Sequence, residues 1–290
     1  MAGIYWLASY PKSGNTWFRL FMANLLNDGQ EPIDINRVGE YNSTSIASSR
    51  DWIDHVLGFD SADLQEQEIE DVRPVVYDWE LKNDRIGYHK IHDAVTLTRT
   101  GRPIISKEAT LGCLYIIRNP LDVAISGANH NNTTIDQSIS NMARLRFSIA
   151  KSRGGQTNQV SQRLLSWSNH VRSWTERPVG KLLVIRYEDM LHNGLETFIQ
   201  ASKFLELPFE SERVAKAIAH SSFTEVAKQE EEKGFVETPE KTQRFFRSGK
   251  SNDWLERLSK DQVQRVISDH QEIMRRYGYL DAHGEPVIFE

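Results

Sequence analysis

Short apolar segments alternate with longer segments of helical periodicity along most of the 290-residue chain. The short segments predict five strands, over 4–9, 75–79, 87–92, 111–117 and 182–187. Apolar residues three or four positions apart predict helices over 17–26, 120–130, 159–177, 194–205, 210–219 and 261–277. Strands that alternate with helices favour an α/β fold, with a mostly parallel central sheet and helices on both faces.

Two stretches have a weaker pattern. Residues 27–72 are polar and acidic, and residues 131–158 are rich in Asn, Ser, Thr, Arg and Gly. Loops of this length inside a compact domain often act as lids or binding loops. Because neither a repeat nor a linker interrupts the chain, we expect a single domain over residues 1–290.

Composition narrows the class of protein. A hydrophobic content of 39% is enough for a large core. The sequence contains no run of 18 apolar residues, so we expect no membrane span. The net charge of −5 argues against a nucleic-acid partner. Cys113 is the one cysteine, so an intrachain disulfide is excluded and a cytoplasmic location is expected. No group of His, Cys, Asp and Glu has the spacing of metal ligands, so we expect no metal.

The segment 10–17, with the sequence Tyr-Pro-Lys-Ser-Gly-Asn-Thr-Trp, lies between the first predicted strand and the first predicted helix. Backbone N–H groups at the start of a helix bind anions, a glycine lets the anion approach, and Lys12 adds positive charge. Because Lys12 precedes Gly14, this is not the Walker A loop of nucleotide kinases. The pattern therefore predicts an anion site of another kind.

A second candidate site follows the strand over 111–117. Arg118 stands at the carboxyl end of that strand, where open α/β sheets bind ligands. Asn119 is placed to cap the next helix, which begins with Pro120 and carries Ser126 two turns later. Arg118 and Ser126 could bind a phosphate. From these residues alone, a structural ion pair and a packed serine remain equally good interpretations.

These motifs resemble those of the sulfotransferases that use 3′-phosphoadenosine 5′-phosphosulfate (PAPS). Segment 10–17 resembles their 5′-phosphosulfate loop, with Asn15 in place of the usual Thr. The positions 118–126 match the pattern R-x-P-x-D-V-x-x-S of their 3′-phosphate site. Residues 244–254 resemble their R-K-G-x-x-G-D-W segment, with Ser248 for the usual Lys and Asn252 for the second Gly.

The resemblance implies a P-loop-kinase-like sulfotransferase fold, PAPS as donor, 3′,5′-adenosine bisphosphate (PAP) as product, and no metal. It implies a small-molecule acceptor, no membrane partner, and a monomer or homodimer. Within the family, residues 3–17 resemble bacterial members, including some that modify secondary metabolites, more than animal members. The donor-binding residues that it implies are Lys12, Ser13, Gly14, Asn15, Thr16, Trp17, Arg118, Ser126, Tyr187, Ser221, Phe223, Arg247, Ser248 and Gly249.

The base that such a transfer needs is best supplied by a histidine, since its pKa lies near neutrality. In the predicted strand over 87–92, alternation puts Lys90 and His92 on one face and His89 on the other. Lys90 and His92 resemble the K-x-H motif of the family, so the resemblance implies catalytic roles for them and for Lys12. His89 is the alternative base. The Leu-Pro that follows the family motif is replaced here by Asp93 and Ala94.

Two other functions remain open at this point. A P-loop nucleotide kinase of similar fold would need a Walker A lysine and magnesium ligands, which the sequence does not contain. A non-catalytic nucleotide-binding module would not need Lys90 and His92 together on one strand face. Binding of ATP and of PAP distinguishes the three functions.

The acceptor is predicted from charge. Residues 51–93 contain twelve carboxylates and four basic side chains, an acidic excess that would concentrate cationic ligands. If 75–79 is a strand, Asp78 and Glu80 share one face, which makes them candidates for binding a positively charged acceptor. The alternative is a solvated helical face over 60–71, because charge runs usually face water.

Overall fold

A computed structural model describes residues 2–40, 44–150, 158–238, 242 and 244–290 of the chain. The strands are β1 (Gly3–Ser9), β2 (Thr44–Ile46), β3 (Ile86–Ile91), β4 (Thr110–Ile117), β5 (Ser148–Ile149), β6 (Gln162–Arg163) and β7 (Lys181–Arg186). The helices are α1 (Asn15–Asn27), α2 (Arg50–Leu57), α3 (Glu66–Asp78), α4 (Pro120–Asn131), α5 (Ile135–Ala143), α6 (Trp167–Thr175), α7 (Tyr187–His192), α8 (Gly194–Phe204), α9 (Ser211–His220), α10 (Phe223–Lys233), α11 (Trp254–Arg257) and α12 (Lys260–Arg276). Short 3-10 helices cover Ile35–Glu40, Ser61–Asp63 and Trp79–Asn83.

The central sheet has the strand order β2-β3-β1-β4-β7. β1 and β2 both run parallel to β3, with Leu7 opposite Lys90 and Ala8 opposite Ile91. Every residue of β1 is buried, as expected for a strand inside a mostly parallel sheet that helices cover. The predicted fold class is therefore confirmed, and four of the five predicted strands are present.

The strand predicted over residues 75–79 is wrong. Residues 75–78 lie in α3, and residues 79–83 form a 3-10 helix. The buried residues Ile69, Arg73, Val76 and Tyr77 follow the three- and four-residue spacing of a helix. The short sequence Val-Val-Tyr-Asp-Trp has strand-like composition, but it is the end of this longer amphipathic segment.

The helix predicted over 159–177 begins later, at Trp167. Ser166 caps it by accepting from the backbone N–H of Asn169, and Leu165 has a left-handed φ of 61°. A helix cannot continue through that conformation. Val160 and Leu164 are buried, but they belong to the non-helical chain that precedes Leu165. The stretches expected to be loose also contain α2, α5 and the start of α3, while residues 151–157 lie outside the described part.

The chain divides into two compact units. The first contains Met1–Tyr10, Ser43–Tyr115 and Arg144–Val184, and the second contains Pro11–Asn42, Ile116–Ala143 and Ile185–Glu290. The single domain expected from the sequence stays a prediction. Among the described residues, we find no helix whose length and hydropathy would let it cross a lipid bilayer.

Candidate active site

The predicted anion loop belongs to the second unit. Lys12 and Gly14 have left-handed φ angles of 71° and 102°, and α1 begins directly afterwards at Asn15. Gly14 is the N-cap and provides no side chain to the first turn of the helix. Phe18 and Phe21 on the buried face of α1 pack on Phe198 of α8, with ring centroids 5.8 and 4.2 Å away. This packing fixes the direction in which the N–H groups of the first turn point.

Arg118 connects the anion loop to the C-terminal segment that contains Lys250. Its Nη1 donates to the carbonyl of Lys12 at 3.1 Å, and its Nη2 donates to the carbonyl of Lys250 at 2.9 Å. The guanidinium lies 4.2 Å from the centroid of the Tyr187 ring, close enough for a cation–π interaction. Burial raises the pKa of the Tyr187 hydroxyl, and the charge of Arg118 opposes this effect.

Gly14 and Tyr187 are in direct contact. A Cβ atom at position 14 would lie 2.6 Å from Cδ2 of Tyr187, so only glycine fits there without a shift of the ring. Trp17 meets the same ring edge-on at 5.7 Å. The structure therefore brings together Gly14, Trp17, Arg118 and Tyr187, which the sequence assigned to one donor site.

Several polar atoms of this cluster are buried without a hydrogen bond. They are Oγ of Ser13, Nε1 of Trp17, Nε of Arg118 and Nδ2 of Asn119, and none has a partner in the described part of the chain. Buried polar groups in folded proteins are nearly always hydrogen-bonded. Their concentration around one loop indicates a site for a polar ligand, and an anion with several oxygens fits these donors.

Lys12 has partners that the sequence motifs did not include. Its Nζ lies 3.3 Å from Nδ1 of His130 and 4.2 Å from the centroid of the Phe245 ring. His130 follows Ser126 by one helical turn on α4, so the two side chains share a helix face. That spacing was the one signal by which sequence reasoning could have found His130.

Thr16 lies beside a carboxylate from the C-terminal part of the chain. Its hydroxyl is 3.5 Å from Oε2 of Glu237, whose other oxygen accepts from the buried Arg19 at 2.6 Å. No motif marks Glu237, which is more than two hundred residues away from Thr16 in the sequence. The contact is visible only in the folded chain.

The segment around Gly249 also contacts a predicted donor residue. A Cβ atom at position 249 would lie 2.3 Å from Cδ2 of Phe223, and Gly249 has a left-handed φ of 63°. Both facts explain why glycine occupies this position. Arg247 pairs with Asp253 at 2.7 Å and is about one-third exposed.

Asn252, which replaces the second glycine of the family segment, also has a left-handed φ, of 65°. Asparagine tolerates this conformation better than most residues. Its amide donates to the carbonyl of Phe289 at 2.7 Å and accepts from the N–H of Phe289 at 3.2 Å. Asp122 accepts from the backbone N–H groups of Asn252 and Trp254. These bonds tie the segment to α4 and to the end of the chain.

For Ser126, Ser221 and Ser248, the described part of the chain shows no contact that supports their assignment to the donor site. Ser221 is fully buried, and its hydroxyl donates to the carbonyl of Ala217 at 2.8 Å, so that group is already used inside α9. Ser126 and Ser248 are half-buried. The roles of these serines stay predictions.

Lys90 and His92 belong to the first unit. Lys90 is on β3, and His92 directly follows the end of that strand. Both side chains are half-buried, whereas the intervening Ile91 and the preceding His89 are buried. This alternation is the one that the sequence predicted for the K-x-H motif.

The tautomer of His92 follows from its contacts. Its Nδ1 lies 2.7 Å from the carbonyl oxygen of Ser9 and 3.3 Å from the hydroxyl oxygen of Ser9. A carbonyl can only accept, so the shorter contact favours the proton on Nδ1. In the neutral ring Nε2 therefore has the lone pair, which is what a general base requires. His170 donates from Nε2 to the His92 carbonyl at 2.9 Å and accepts from Tyr115 at 2.7 Å.

Asp93, the residue that departs from the family motif, has a buried carboxylate that other residues bind. Its carboxylate accepts from Nη1 of the buried Arg73 at 3.1 Å and from the backbone N–H of Arg163 at 2.9 Å. The backbone carbonyl of Asp93 accepts from Trp174. The backbone on the C-terminal side of His92 is therefore held by a buried ion pair and by an indole.

His89, the alternative base, is a core residue. Its ring stacks on Trp52 with centroids 4.5 Å apart, and neither ring nitrogen has a hydrogen-bond partner among the described residues. Burial lowers the pKa of His89 to about 3. A ring that is enclosed and neutral in this way has no access to a substrate.

The argument for Asp78 and Glu80 as acceptor ligands does not hold, because the strand on which it depended is a helix end. Asp78 accepts a short hydrogen bond from Ser106. Glu80 accepts from Asn83 and lies 3.9 Å from His89, which points away from the face of Lys90 and His92. Other carboxylates of the acidic segment are also paired internally, such as Asp71 with Arg99, Glu70 with Arg163 and Asp93 with Arg73.

Comparisons with known proteins identify relatives of this chain and its fold. The chain is 35% identical over 163 residues to cytosolic sulfotransferase 15 of Arabidopsis thaliana, a match of 53% of this chain and 44% of that protein. It is 23% identical over 285 residues to 3-alpha-hydroxysteroid sulfotransferase of Cavia porcellus, 93% of this chain and 83% of that one. The structure aligns with that of mouse sulfotransferase SULT7A1 complexed with PAP at a TM-score of 0.56 and 20% identity, over 95% of this chain and 85% of the mouse chain. This alignment confirms the fold.

A family model described as the sulfotransferase domain matches residues 4–278, nearly the whole chain. The match includes the anion loop, the K-x-H motif, Arg118 and the segment around Gly249. The chain belongs to the sulfotransferase family.

Proposed function

We propose that this protein transfers the sulfuryl group of PAPS to a hydroxyl or amine of a small-molecule acceptor, with His92 as the general base. The match of the sulfotransferase family over residues 4–278 carries the proposal. The named relatives include a hydroxysteroid sulfotransferase, which supports a small molecule as acceptor. The tautomer of His92 supports its role as the base.

The donor site proposed here is the cluster around the anion loop. The mouse relative was solved with PAP, the product that PAPS leaves behind. The unpartnered donors of Ser13, Trp17, Arg118 and Asn119 are the groups that phosphate oxygens and a nucleotide would satisfy. The N–H groups at the start of α1 add the positive end of the helix dipole.

The proposed transfer is a single displacement at sulfur. The acceptor oxygen or nitrogen forms a bond to sulfur while the bond from sulfur to the bridging phosphate oxygen breaks. The electron pair of that bond stays on the phosphate of PAP, and the acceptor proton passes to Nε2 of His92. The negative charge that develops on the leaving phosphate oxygen needs stabilisation, and preorganised cations supply it effectively.

Lys90 and Lys12 are the proposed cations. Lys90 shares the strand face of His92, and Lys12 is held by the His130 and Phe245 rings in the loop that would bind the phosphosulfate. Stabilising the leaving phosphate lowers the barrier to the displacement, whereas a base alone would only assist the attacking group.

The test is an assay of the purified protein with PAPS and a set of small phenols, alcohols and amines, read by mass spectrometry. We expect one sulfuryl group on at least one acceptor, and PAP in equal amount. The same acceptors with ATP form the control, and phosphorylated product would support a kinase instead. If PAP binds but no acceptor in a broad set is ever sulfated, the transfer function is refuted.

A further inference from the structure

The backbone of Lys12 is held in one conformation. Its φ of 71° lies in the left-handed region, which few residues other than glycine adopt. Its carbonyl oxygen accepts from Nη1 of Arg118 at 3.1 Å. The start of the Lys12 side chain is therefore fixed, but a flexible carbon chain separates it from the ammonium group. Other contacts must set the position of that group.

His130 accepts a hydrogen bond from the ammonium group. Nζ of Lys12 lies 3.3 Å from Nδ1 of His130. An ammonium group can only donate, so Nδ1 accepts through its lone pair. Because an alkylamine is a stronger base than an imidazole, the shared proton belongs to Lys12. The ring of His130 is therefore neutral and carries its own proton on Nε2.

The ring of Phe245 faces the same ammonium group. Its centroid lies 4.2 Å from Nζ of Lys12, within the range of a cation–π interaction. The rings of Phe245 and His130 meet edge-on, with centroids 6.0 Å apart. The ammonium group is therefore held between two rings that also contact each other.

Both rings are anchored to the fold. The carbonyl of His130, near the end of α4, accepts from the hydroxyl of Thr242 at 2.9 Å. The backbone N–H of Phe245 donates to Oε1 of Glu230 at 2.6 Å, and its ring packs on Phe235 with centroids 4.9 Å apart. Groups held in this way need little rearrangement during a reaction, which is the condition for effective electrostatic stabilisation.

The two rings orient the ammonium group without neutralising it. A carboxylate in place of the His130 imidazole would cancel the charge of Lys12, whereas a neutral imidazole and a phenyl ring leave that charge intact. A full positive charge is what the leaving phosphate oxygen needs as its negative charge develops. Histidine at position 130 therefore has a chemical use beyond packing.

We propose that His130 is a positioning residue for the sulfuryl transfer, which directs the ammonium group of Lys12 toward the phosphosulfate of the donor. The inference rests on the proposed function, in which Lys12 stabilises the leaving phosphate. His130 exchanges no proton with the substrate. It acts through Lys12, because accepting one of the three N–H bonds of the ammonium group sets the direction of the other two.

The test uses two substitutions that separate the ring from its acceptor atom. His130→Phe keeps a ring and removes the acceptor, whereas His130→Asn places an amide oxygen as many bonds from the backbone as Nδ1. We expect kcat for sulfation to fall at least about tenfold in His130→Phe, the scale of one hydrogen bond to a charged group. His130→Asn should restore most of the native kcat. His130→Leu replaces His130→Phe if that variant does not fold.

The control is a histidine outside the site. His55 is exposed on α2, and His55→Phe should keep the native kcat and the native affinity for PAP. A loss of kcat as large in His130→Asn as in His130→Phe would show that the ring serves packing alone, and would overturn the role of His130.

A binding measurement separates this inference from the proposed function. PAP titrations of His130→Phe, Lys12→Met and the double variant measure the coupling between the two side chains. His130→Phe should weaken PAP binding in the native protein and change nothing in the Lys12→Met background. Such coupling without any sulfated product would support the role of His130 and refute the transfer. Additive effects on PAP affinity, or a native kcat in His130→Phe, would overturn the role of His130 and leave the transfer intact.

Discussion

Nδ1 of His92 lies 2.7 Å from the main-chain carbonyl oxygen of Ser9, the last residue of β1. This contact with a backbone group orients the ring of the proposed base. Because a carbonyl can only accept, the contact holds the ring in the tautomer that a base needs. The side chain at position 9 is not needed for this bond.

The first prediction concerns this base. His92→Ala should reduce kcat by about 10²–10⁴, the usual contribution of a general base, while PAP binding stays unchanged. Ser9→Ala keeps the carbonyl and should keep most of the activity. The measurements are steady-state rates of sulfation and PAP titrations of each variant.

His89→Phe is the matched control for His92, because it removes a neighbouring imidazole and keeps the ring packed on Trp52. It should retain nearly the native kcat. If His89→Phe abolishes turnover and His92→Ala does not, the assignment of the base is wrong.

The second prediction concerns the donor phosphate. Arg118→Ala should weaken PAP binding by about tenfold to a hundredfold, since hydrogen bonds to charged groups contribute about 1.5–3 kcal/mol. Arg276→Ala is the control, because that arginine is exposed on α12 and pairs with Glu272. Calorimetric titration with PAP measures both, and equal affinities for the two variants would contradict the assignment of Arg118.

The third prediction uses two glycines with the same backbone strain. Gly249 and Gly101 both have left-handed φ angles, of 63° and 83°, but a Cβ atom at 249 would clash with Phe223, whereas one at 101 would contact nothing within 4 Å. Gly249→Ala should weaken PAP binding because the ring of Phe223 must move away. Gly101→Ala should lower the thermal unfolding temperature without changing PAP affinity. A loss of affinity in both variants would show that backbone strain, and not the ring, is responsible.

The fourth prediction concerns acid stability. Burial lowers the pKa of His89 from 6.5 to about 3, so the unfolded chain takes up a proton before the folded chain does. The stability that His89 contributes is complete above about pH 6.5 and is lost as the pH falls toward 3, at up to about 1.4 kcal/mol per pH unit. Burial lowers the pKa of His170 to about 4, which acts in the same direction.

His89→Phe removes one of these groups, so the free energy of unfolding should fall less steeply between pH 6.5 and pH 4 than in the native protein. Urea denaturation at several pH values measures the slope. His55 is exposed, and His55→Gln should leave the slope unchanged. A native-like slope in His89→Phe would mean that His89 is not neutral in the folded protein.

Local signals in the sequence were sufficient to predict the secondary structure around the proposed donor site. The strand, the turn and the helix around Gly14 are encoded by adjacent residues, and Asn119 caps α4 as predicted, by accepting from the N–H of Leu121. The alternation of side chains along the strand correctly predicted that His89 and His92 differ in exposure, with His89 buried and His92 half-buried. In each case the determining residues are neighbours along the chain.

Other features depend on contacts between distant residues. The strand predicted over 75–79 was wrong because five residues are too few to distinguish a strand from the last turns of an amphipathic helix. Glu237 beside Thr16 and Phe245 beside Lys12 are separated from their partners by more than two hundred residues, and no local pattern encodes them. Bacterial origin, a role in secondary metabolism, a cytoplasmic location and the oligomeric state stay predictions.

The contact between Gly14 and Tyr187 limits how this protein can diverge. Because the ring occupies the space where a side chain at position 14 would lie, position 14 cannot change while the ring at 187 is kept. A larger residue at 14 becomes acceptable only after the ring at 187 is lost, and that loss would also remove the aromatic face beneath Arg118. Among related sequences the two positions should therefore be inherited as a pair, so that a homologue with a side chain at the first will also lack the aromatic ring at the second.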